Sequence, residues 1–170
     1  MIKSNPDHLT EFVSTSMKYL QHAIEENRKI AHALVVPDFK TKNLVDQLFN
    51  LTDAMLTASG IKVFLDISRF RQELVNDKQK LTAYRVAQEQ CNNIIKYAKA
   101  QTVNIMLRTD ENSFQMTIAD DGQGMEAGKK SKGIGLGNIN SRLSIVNGNA
   151  EISTAPGKGF RLEIVMPLKN

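Results

Sequence analysis

A carboxylate and an amide with helical spacing could together bind a hydrated cation. Glu89 and Asn93 lie four residues apart in a segment whose apolar residues recur with helical periodicity, so both side chains share one face. Mg²⁺ prefers such oxygen ligands and keeps several of its waters. Lys96 follows about one turn later and could reach a phosphate group. The alternative for this segment alone is a solvated amphipathic helix.

A second candidate is the sequence Asp-Asp-Gly-Gln-Gly-Met at residues 120–125, which follows a predicted strand. The carboxylate of Asp120, fixed at the strand end, would suit the exocyclic amine of adenine, because that amine donates hydrogen bonds. Gly122 and Gly124 would let a ligand approach the backbone closely. The alternatives are a plain turn and a calcium loop, although the acidic residues are too few for an EF-hand.

A third candidate is the glycine-rich stretch of residues 132–138, Lys-Gly-Ile-Gly-Leu-Gly-Asn, which opens a predicted helix. The unpaired backbone amides of a helix N-terminus bind phosphate, and Lys132 adds positive charge beside them. A dinucleotide-binding motif of the Rossmann type is excluded, because no strand directly precedes the stretch and Asn138 occupies the third glycine position. A Walker loop is excluded as well, since no Gly-Lys-Ser/Thr occurs here.

The elements that must position these residues alternate between helices and strands. Apolar residues at helical spacing predict helices over residues 41–58, 77–98 and 138–146, and alternating patterns predict strands over residues 61–67, 102–108, 114–119, 150–153 and 161–165. Short turns between consecutive strands imply antiparallel pairs, which excludes a fully parallel sheet. We therefore expect a two-layer α/β sandwich, with a mixed five-stranded sheet covered on one face by helices.

The first 37 residues form a separate predicted unit. A heptad stripe with one polar interruption ends before Pro37 and runs through Val13, Met17, Leu20, Ile24, Asn27, Ala31 and Leu34. Such a narrow stripe indicates a long helix that packs against a partner helix, and a surface helix lying on its own domain is the alternative. The predicted organisation is residues 1–37 as a helical unit and residues 38–170 as a globular domain.

Composition narrows the class of protein. Of 170 residues, 41% are hydrophobic and 24% are charged, which excludes a disordered chain. The net charge is only +4 and the basic residues are spread along the chain, so no nucleic-acid partner is expected. The single Cys91 excludes an internal disulfide and a multi-cysteine zinc site. No stretch reaches the ~20 apolar residues of a membrane span, so we expect a cytoplasmic location without membrane contact for this part of a parent protein that could itself be membrane-anchored.

Taken together, the three candidate stretches resemble the nucleotide-binding boxes of the family shared by sensor histidine kinases, Hsp90-type chaperones, gyrase-type topoisomerases and MutL-type repair proteins. The resemblance covers residues 81–167 and implies the Bergerat fold, with ATP and Mg²⁺ as cofactors. It implies that Asn93 is the ligand of Mg²⁺ and that Glu89 is the catalytic residue. It also implies an ATP site formed by Asn93, Lys96, Tyr97, Asp120, Gly122, Gly124, Met125, Lys132, Gly133, Gly135, Leu136 and Phe160.

Within that family the sequence is similar to nitrate-sensor-like kinases, in which a pair of dimerisation helices precedes the ATPase domain. Residues 28–34 resemble the second of those helices, which implies a homodimer in the parent protein and a response regulator as partner. Two positions depart from the usual pattern, since Tyr97 stands where that group has His and Phe160 stands where a Thr is usual.

The phosphorylated histidine of such kinases is followed directly by an acidic residue. None of His8, His22 and His32 has an acidic residue after it, so the acceptor is expected on an upstream helix that this sequence does not include. We therefore predict the ATP-binding catalytic portion of a sensor histidine kinase. It would transfer the γ-phosphoryl group of ATP to a His on that upstream helix, and the group would then pass to a response regulator.

Two alternatives stay open. One is a non-catalytic module that responds to ATP through its interactions with other proteins. The other is a serine kinase of the anti-sigma-factor type, which the long helix over residues 8–36 disfavours because such kinases generally lack it. A chaperone or a topoisomerase is disfavoured, since the chain lacks room for their additional domains.

Overall fold

The computed structural model describes residues 11–21, 23, 37, 39, 42–125 and 136–168. The chain divides into two compact units, Met1–Val36 and Pro37–Asn170. In the first unit, residues 11–21 form a helix, α1, and its heptad positions Val13, Met17 and Leu20 are exposed. The remainder of the predicted long helix and all three histidines of the chain lie outside the described residues.

The second unit begins with a helix whose first turn is capped. α2 spans Leu44–Met55, and the Asn43 side chain accepts a hydrogen bond of 2.8 Å from the backbone N–H of Asp46. This cap satisfies one of the unpaired amides at the helix N-terminus. A short 3₁₀ turn, Thr57–Ser59, follows and ends at Gly60, whose φ is +81°. α2 therefore ends at Met55 instead of residue 58 as predicted, because the chain continues as a 3₁₀ turn before Gly60.

α3 spans Asp77–Asn93 and begins with a capping box. The Asn76 side chain accepts a hydrogen bond from the N–H of Gln79, and the Gln79 side chain accepts one from the N–H of Asn76, both at 3.0 Å. The helix continues as one π-helical turn, Ile94–Ala98, which ends at Lys99 with a φ of +53°. The sequence predicts a regular helix over this turn, so the π turn is a structural difference, and such turns are frequent at functional sites.

Five strands form a single mixed sheet. They are β1 Lys62–Arg69, β2 Thr102–Thr109, β3 Ser113–Asp120, β4 Asn149–Thr154 and β5 Phe160–Pro167. Their order across the sheet is β1-β2-β3-β5-β4, in which β1 and β2 are parallel and the other neighbours are antiparallel. A parallel pair needs a crossover connection, which α3 supplies. The predicted mixed five-stranded sheet is confirmed.

The core lies between the sheet and the helices. Alternate residues of the three central strands are buried in one cluster: Val103, Ile105, Leu107, Phe114, Met116, Ile118, Leu162, Ile164 and Met166. Leu48 of α2, Ala87 of α3 and Ile139 of α4, which spans Leu136–Ser144, belong to the same cluster. The intervening position Asn104 on β2 is exposed. The predicted two-layer arrangement is thus confirmed, because one face of the three central strands joins the core under the helices.

Candidate functional site

A cavity of about 330 Å³ lies between α3 with its π turn, the loop that follows β3 and the start of β5. Its lining residues are Gln90, Asn93, Ile94, Tyr97, Ala98, Asp120, Gln123, Gly124, Met125 and Phe160. Gln90, Asn93 and Tyr97 follow one another at intervals of three and four, so a single face of the helix forms one wall. The fold therefore brings together the helical and loop stretches that the sequence marked separately.

Most of the predicted site residues that the structure describes are in this cavity. Those that line it are Asn93, Tyr97, Asp120, Gly124, Met125 and Phe160. Glu89 and Lys96 lie on the same helix but outside the cavity wall, Glu89 half-buried and Lys96 exposed. Gly122 is buried in the loop beside the lining residues. The two positions at which the sequence departs from the usual kinase pattern, Tyr97 and Phe160, are thus both at the cavity.

The glycine-rich stretch is described only at its end. Lys132, Gly133 and Gly135 lie outside the described residues, so their place at a phosphate site stays a prediction. Leu136 is the first residue of α4, which therefore begins two residues earlier than the predicted helix.

Four lining residues were not predicted from the sequence: Gln90, Ile94, Ala98 and Gln123. Gln90 and Ile94 stand three residues before and one residue after Asn93. Gln90 shares a helix face with Asn93 at a spacing of three, and Ile94 shares one with Gln90 at a spacing of four, but this spacing does not show that the face lines a cavity. Gln123 lies inside the predicted loop, where sequence spacing gives no information about which side chain faces a ligand.

Asp120 lines the cavity with a carboxylate that is only partly satisfied within the protein. Oδ1 accepts a hydrogen bond of 3.0 Å from the backbone N–H of Gly122. Oδ2 is buried and has no partner among the described residues. Burial raises the pKa of the Asp120 carboxyl, and hydrogen bonds from the backbones of Gly122 and Phe160 partly oppose that rise. A ligand that donates a hydrogen bond to Oδ2 would remove the cost of an unpaired buried acceptor.

The adjacent Asp121 serves the fold. Its exposed carboxylate accepts hydrogen bonds from the backbone N–H groups of Gln101 at 2.8 Å and Thr102 at 2.9 Å. These bonds lower the pKa of the Asp121 carboxyl, and the bond from Thr102 has the larger effect. Of the two consecutive aspartates, Asp121 therefore fastens the loop to the start of β2, and Asp120 is the one placed for a ligand.

Two glycines hold the loop after β3 against the rest of the domain. A Cβ atom on Gly122 would overlap the carbonyl of Ala98, and one on Gly124, whose φ is +62°, would overlap the carbonyl of Ala155. Between them, the N–H of Gln123 donates a 2.8 Å hydrogen bond to the Ala98 carbonyl. These glycines are thus required by close contacts between backbone segments, and the predicted approach of a ligand to them stays a prediction.

The opposite wall of the cavity is apolar. Phe160 is buried at the start of β5 and lines the cavity with its ring, together with Met125. Thr154 on β4 has a hydroxyl beside this wall, but it accepts a 3.0 Å hydrogen bond from the N–H of Met125 and donates one of 2.8 Å to the Gly159 carbonyl. Both hydrogen bonds engage that hydroxyl within the protein, so it is not free to bind a ligand.

Comparison with known proteins decides the family. Residues 78–170 match the family described as histidine kinase-, DNA gyrase B-, and HSP90-like ATPase. The chain belongs to this family. The predicted membership is therefore confirmed, and the cavity lies within the matching residues.

Proteins similar to this chain include bacterial sensor kinases. The chain is 32% identical over 117 residues to the signal transduction histidine-protein kinase/phosphatase UhpB of Salmonella typhimurium. This alignment covers 69% of the chain and 23% of that protein. The chain is 30% identical over 152 residues to the sensor histidine kinase ComP of Bacillus subtilis, in an alignment that covers 88% of the chain and 20% of that protein. The chain thus spans a quarter or less of the length of these relatives, and it corresponds to their ATP-binding catalytic portion.

Solved structures agree with the fold of the ATPase. The histidine kinase domain of the blue-light activated kinase from Erythrobacter litoralis EL346 aligns with a TM-score of 0.64 at 16% identity, covering 83% of this chain and 69% of that chain. The Acinetobacter baumannii histidine kinase AdeS aligns with a TM-score of 0.60 at 17% identity, covering 99% of this chain and 88% of that chain. The predicted Bergerat-type fold is confirmed. None of the helices described here has the length and apolar character needed to cross a bilayer.

The lining of the cavity fits a nucleotide. Ile94, Met125 and Phe160 offer apolar surface to a flat base, and Asp120 Oδ2 offers an unpaired acceptor to an exocyclic amine. Asn93 is buried in the cavity wall, and its Nδ2 has no hydrogen-bond partner among the described residues. That atom is a donor, which suits a phosphate oxygen, so the role of the Asn93 side-chain oxygen as a ligand of Mg²⁺ stays a prediction. Within the described ranges no three His, Cys, Asp or Glu side chains cluster as a metal site, so the predicted Mg²⁺ depends on Asn93.

Replacing Asn93 is expected to reduce the binding of ATP in a metal-dependent way. Asn93→Ala removes the side-chain oxygen that is predicted to bind Mg²⁺, so ATP with Mg²⁺ should bind about tenfold more weakly or worse, while ATP in EDTA should lose far less affinity. Isothermal titration calorimetry under both conditions measures the difference. Asn92→Ala is the control, because Asn92 is adjacent and half-buried but does not line the cavity. Equal losses with and without the metal would show that Asn93 is not a ligand.

Proposed function

We propose that this chain binds ATP with Mg²⁺ and donates the γ-phosphoryl group to a histidine on a dimerisation helix, from which it passes to an aspartate of a response regulator. The observation that carries the proposal is the cavity inside the segment that matches the ATPase family. Asp120 and Asn93 line it from different elements, and each has a buried polar atom that bonds to none of the residues the structure describes.

Asp120 and the apolar side chains of Met125 and Phe160 would recognise the base. The carboxylate accepts a hydrogen bond from the exocyclic amine of adenine, which guanine cannot supply at that position because it has a carbonyl there. Met125 and Phe160 exclude water from this contact, which strengthens it. Tyr97, half exposed at the end of the helix wall, would cover one side of the ribose or base.

Transfer of the phosphoryl group depends on positioning and on neutralisation of charge. Mg²⁺, when bound, neutralises charge on the phosphate oxygens. Asn93 would hold the metal, and Lys96 would reach the phosphates from one turn further along the helix. Glu89 would accept the proton of the attacking imidazole or orient a water, since it lies one turn before Asn93 and outside the cavity wall. Lys132, Gly133 and Gly135 would cradle the phosphates.

The partners belong to the same proposal. A response regulator is expected to receive the phosphoryl group from the histidine, because the similar proteins are sensor histidine kinases. A homodimer through dimerisation helices is supported by α1, on which Val13, Met17 and Leu20 at heptad spacing are exposed. We place the domain in the cytoplasm, where a response regulator would be found.

Phosphoryl transfer from ATP labelled on the γ-phosphate tests the function. The chain alone should incorporate no acid-labile phosphate, because none of His8, His22 and His32 has the adjacent carboxylate that would take the imidazole proton. A supplied pair of dimerisation helices that carries the acceptor histidine should become labelled. The rate should be low, because no covalent tether raises the effective concentration.

Other outcomes would select other functions. Strong self-labelling that disappears in His32→Gln would make residue 32 the acceptor. Binding of ATP without transfer to any histidine would support the non-catalytic module, and an acid-stable label on a serine of a supplied protein would support the serine kinase.

A further inference from the structure

Gln90 is a buried amide whose oxygen bonds to none of the described residues. It lies on α3, three residues before Asn93, and lines the same cavity. The residue is only 2% exposed, and its Oε1 has no hydrogen-bond partner among the described residues. An unpaired buried acceptor costs free energy in the unliganded protein. Its position in the cavity wall indicates that a ligand supplies the missing donor.

The place of Gln90 along the helix indicates which part of a nucleotide it meets. The loop that carries Asp120 is fastened to the far end of the helix, where Gln123 donates hydrogen bonds to the carbonyls of Tyr97 at 2.6 Å and Ala98 at 2.8 Å. Gln90 precedes Ala98 by eight residues, which corresponds to about 12 Å along a helix. Gln90 also precedes Asn93 by three residues on the same helix face, so it lies beside the residue that is proposed to hold the metal.

The unpaired atom of Gln90 is an acceptor, and this excludes a direct bond from it to a phosphate. Phosphate oxygens are acceptors as well, so they cannot donate a hydrogen bond to Oε1. A water on a cation is a strong donor, because the metal polarises its O–H bonds. Mg²⁺ bound to ATP keeps several such waters.

We propose that Gln90 is a positioning residue for the metal, and that its Oε1 accepts a hydrogen bond from a water of the hydrated Mg²⁺ that accompanies ATP. The proposal rests on the proposed function, since it requires ATP in the cavity. It gives Asn93 and Gln90 separate tasks on one helix face, the first as a ligand of the metal and the second as an acceptor for its hydration shell.

The test compares the binding of ATP with Mg²⁺ and in EDTA, by calorimetry on the full chain. Gln90→Leu should weaken binding about tenfold with Mg²⁺ and less than about twofold in EDTA, because it deletes the acceptor of a metal-bound water. The nucleotide-free variant should unfold at the same or a higher temperature, since an unpaired buried polar atom is removed. Gln88→Leu is the matched control, because Gln88 is buried on the same helix outside the cavity, where its Oε1 accepts a 2.8 Å hydrogen bond from Arg85. Its metal dependence should match that of the wild type.

Gln90→Glu should move the metal dependence in the opposite direction. It keeps an oxygen at the same position and adds negative charge, so binding with Mg²⁺ is retained or strengthened while binding in EDTA is weakened by repulsion from the phosphates. The ratio of the two dissociation constants, EDTA over Mg²⁺, should therefore fall in the Leu variant and rise in the Glu variant. If the ratio is unchanged in both, or moves the same way in both, Gln90 does not contact the metal hydrate. A wild-type chain that binds no ATP would instead overturn the proposed function.

Discussion

An Asp120→Asn protein should bind ATP about 10- to 150-fold more weakly than the wild type. The substitution replaces a charged acceptor with an amide, and loss of a hydrogen bond to a charged group costs about 1.5–3 kcal/mol. The effect should be near the upper end of this range, because the lost acceptor Oδ2 is buried and water cannot take its place. Isothermal titration calorimetry with ATP measures the loss directly.

The neighbouring aspartate supplies the control for this variant. Asp121→Asn changes the same charge one residue away, but the Asp121 carboxylate bonds the backbone of Gln101 and Thr102 instead of lining the cavity. It should therefore reduce stability while leaving the affinity for ATP close to that of the wild type. GTP should bind the wild type poorly. Equal affinities for ATP and GTP would contradict the role of Asp120 in reading adenine.

A Gly159→Ala protein should lose about 2–5 kcal/mol of unfolding free energy. Gly159 has a φ of +70°, where an L-residue with a side chain is strained by about 1–2 kcal/mol. Its Cβ would also overlap the backbone carbonyl of Asp120, and relief of such overlap adds about 1–3 kcal/mol. Urea denaturation of the nucleotide-free chain measures the sum.

Gly157 separates the two contributions to that loss. It lies in the same turn with a φ of +71°, but no atom is within 4 Å of a Cβ built on it. Gly157→Ala should therefore cost only the backbone strain of about 1–2 kcal/mol. Similar losses in the two variants would show that the contact with Asp120 does not constrain Gly159.

The strands were predictable because burial on one face leaves a period of two in the sequence. The predicted strands over residues 114–119 and 161–165 fall inside the observed β3 and β5, and each is short by only a few residues at its ends. The π turn over Ile94–Ala98 was not predictable from the same kind of pattern. One turn is too short to show its own periodicity, and the turn is fixed by the loop that packs on Ala98.

Some residues of the candidate site could be predicted from short sequence motifs, and others only from the fold. Asn93 and Asp120 stand in short motifs whose residue types indicate their chemistry without knowledge of the fold. Gln90 gave no such signal, because a glutamine on a helix is ordinarily exposed, and only the fold shows that it is buried beside the cavity. The closeness of Gly159 to Asp120 depends on the pairing of β3 with β5, which no motif encodes.

The strand order has a consequence for the synthesis of this domain on a ribosome. β5 is the last strand in the sequence, yet it lies inside the sheet. The edge strand β4 forms its hydrogen bonds to the sheet through β5. As the nascent chain emerges, β4 appears first and has no partner, and β3 keeps one edge unpaired until β5 follows. A chain interrupted before Phe160 would lack an internal strand of the sheet instead of an edge strand, together with the part of the cavity wall that Phe160 forms. A nucleotide therefore finds its complete cavity only after nearly the whole domain has been translated, so it cannot assist the early steps of folding.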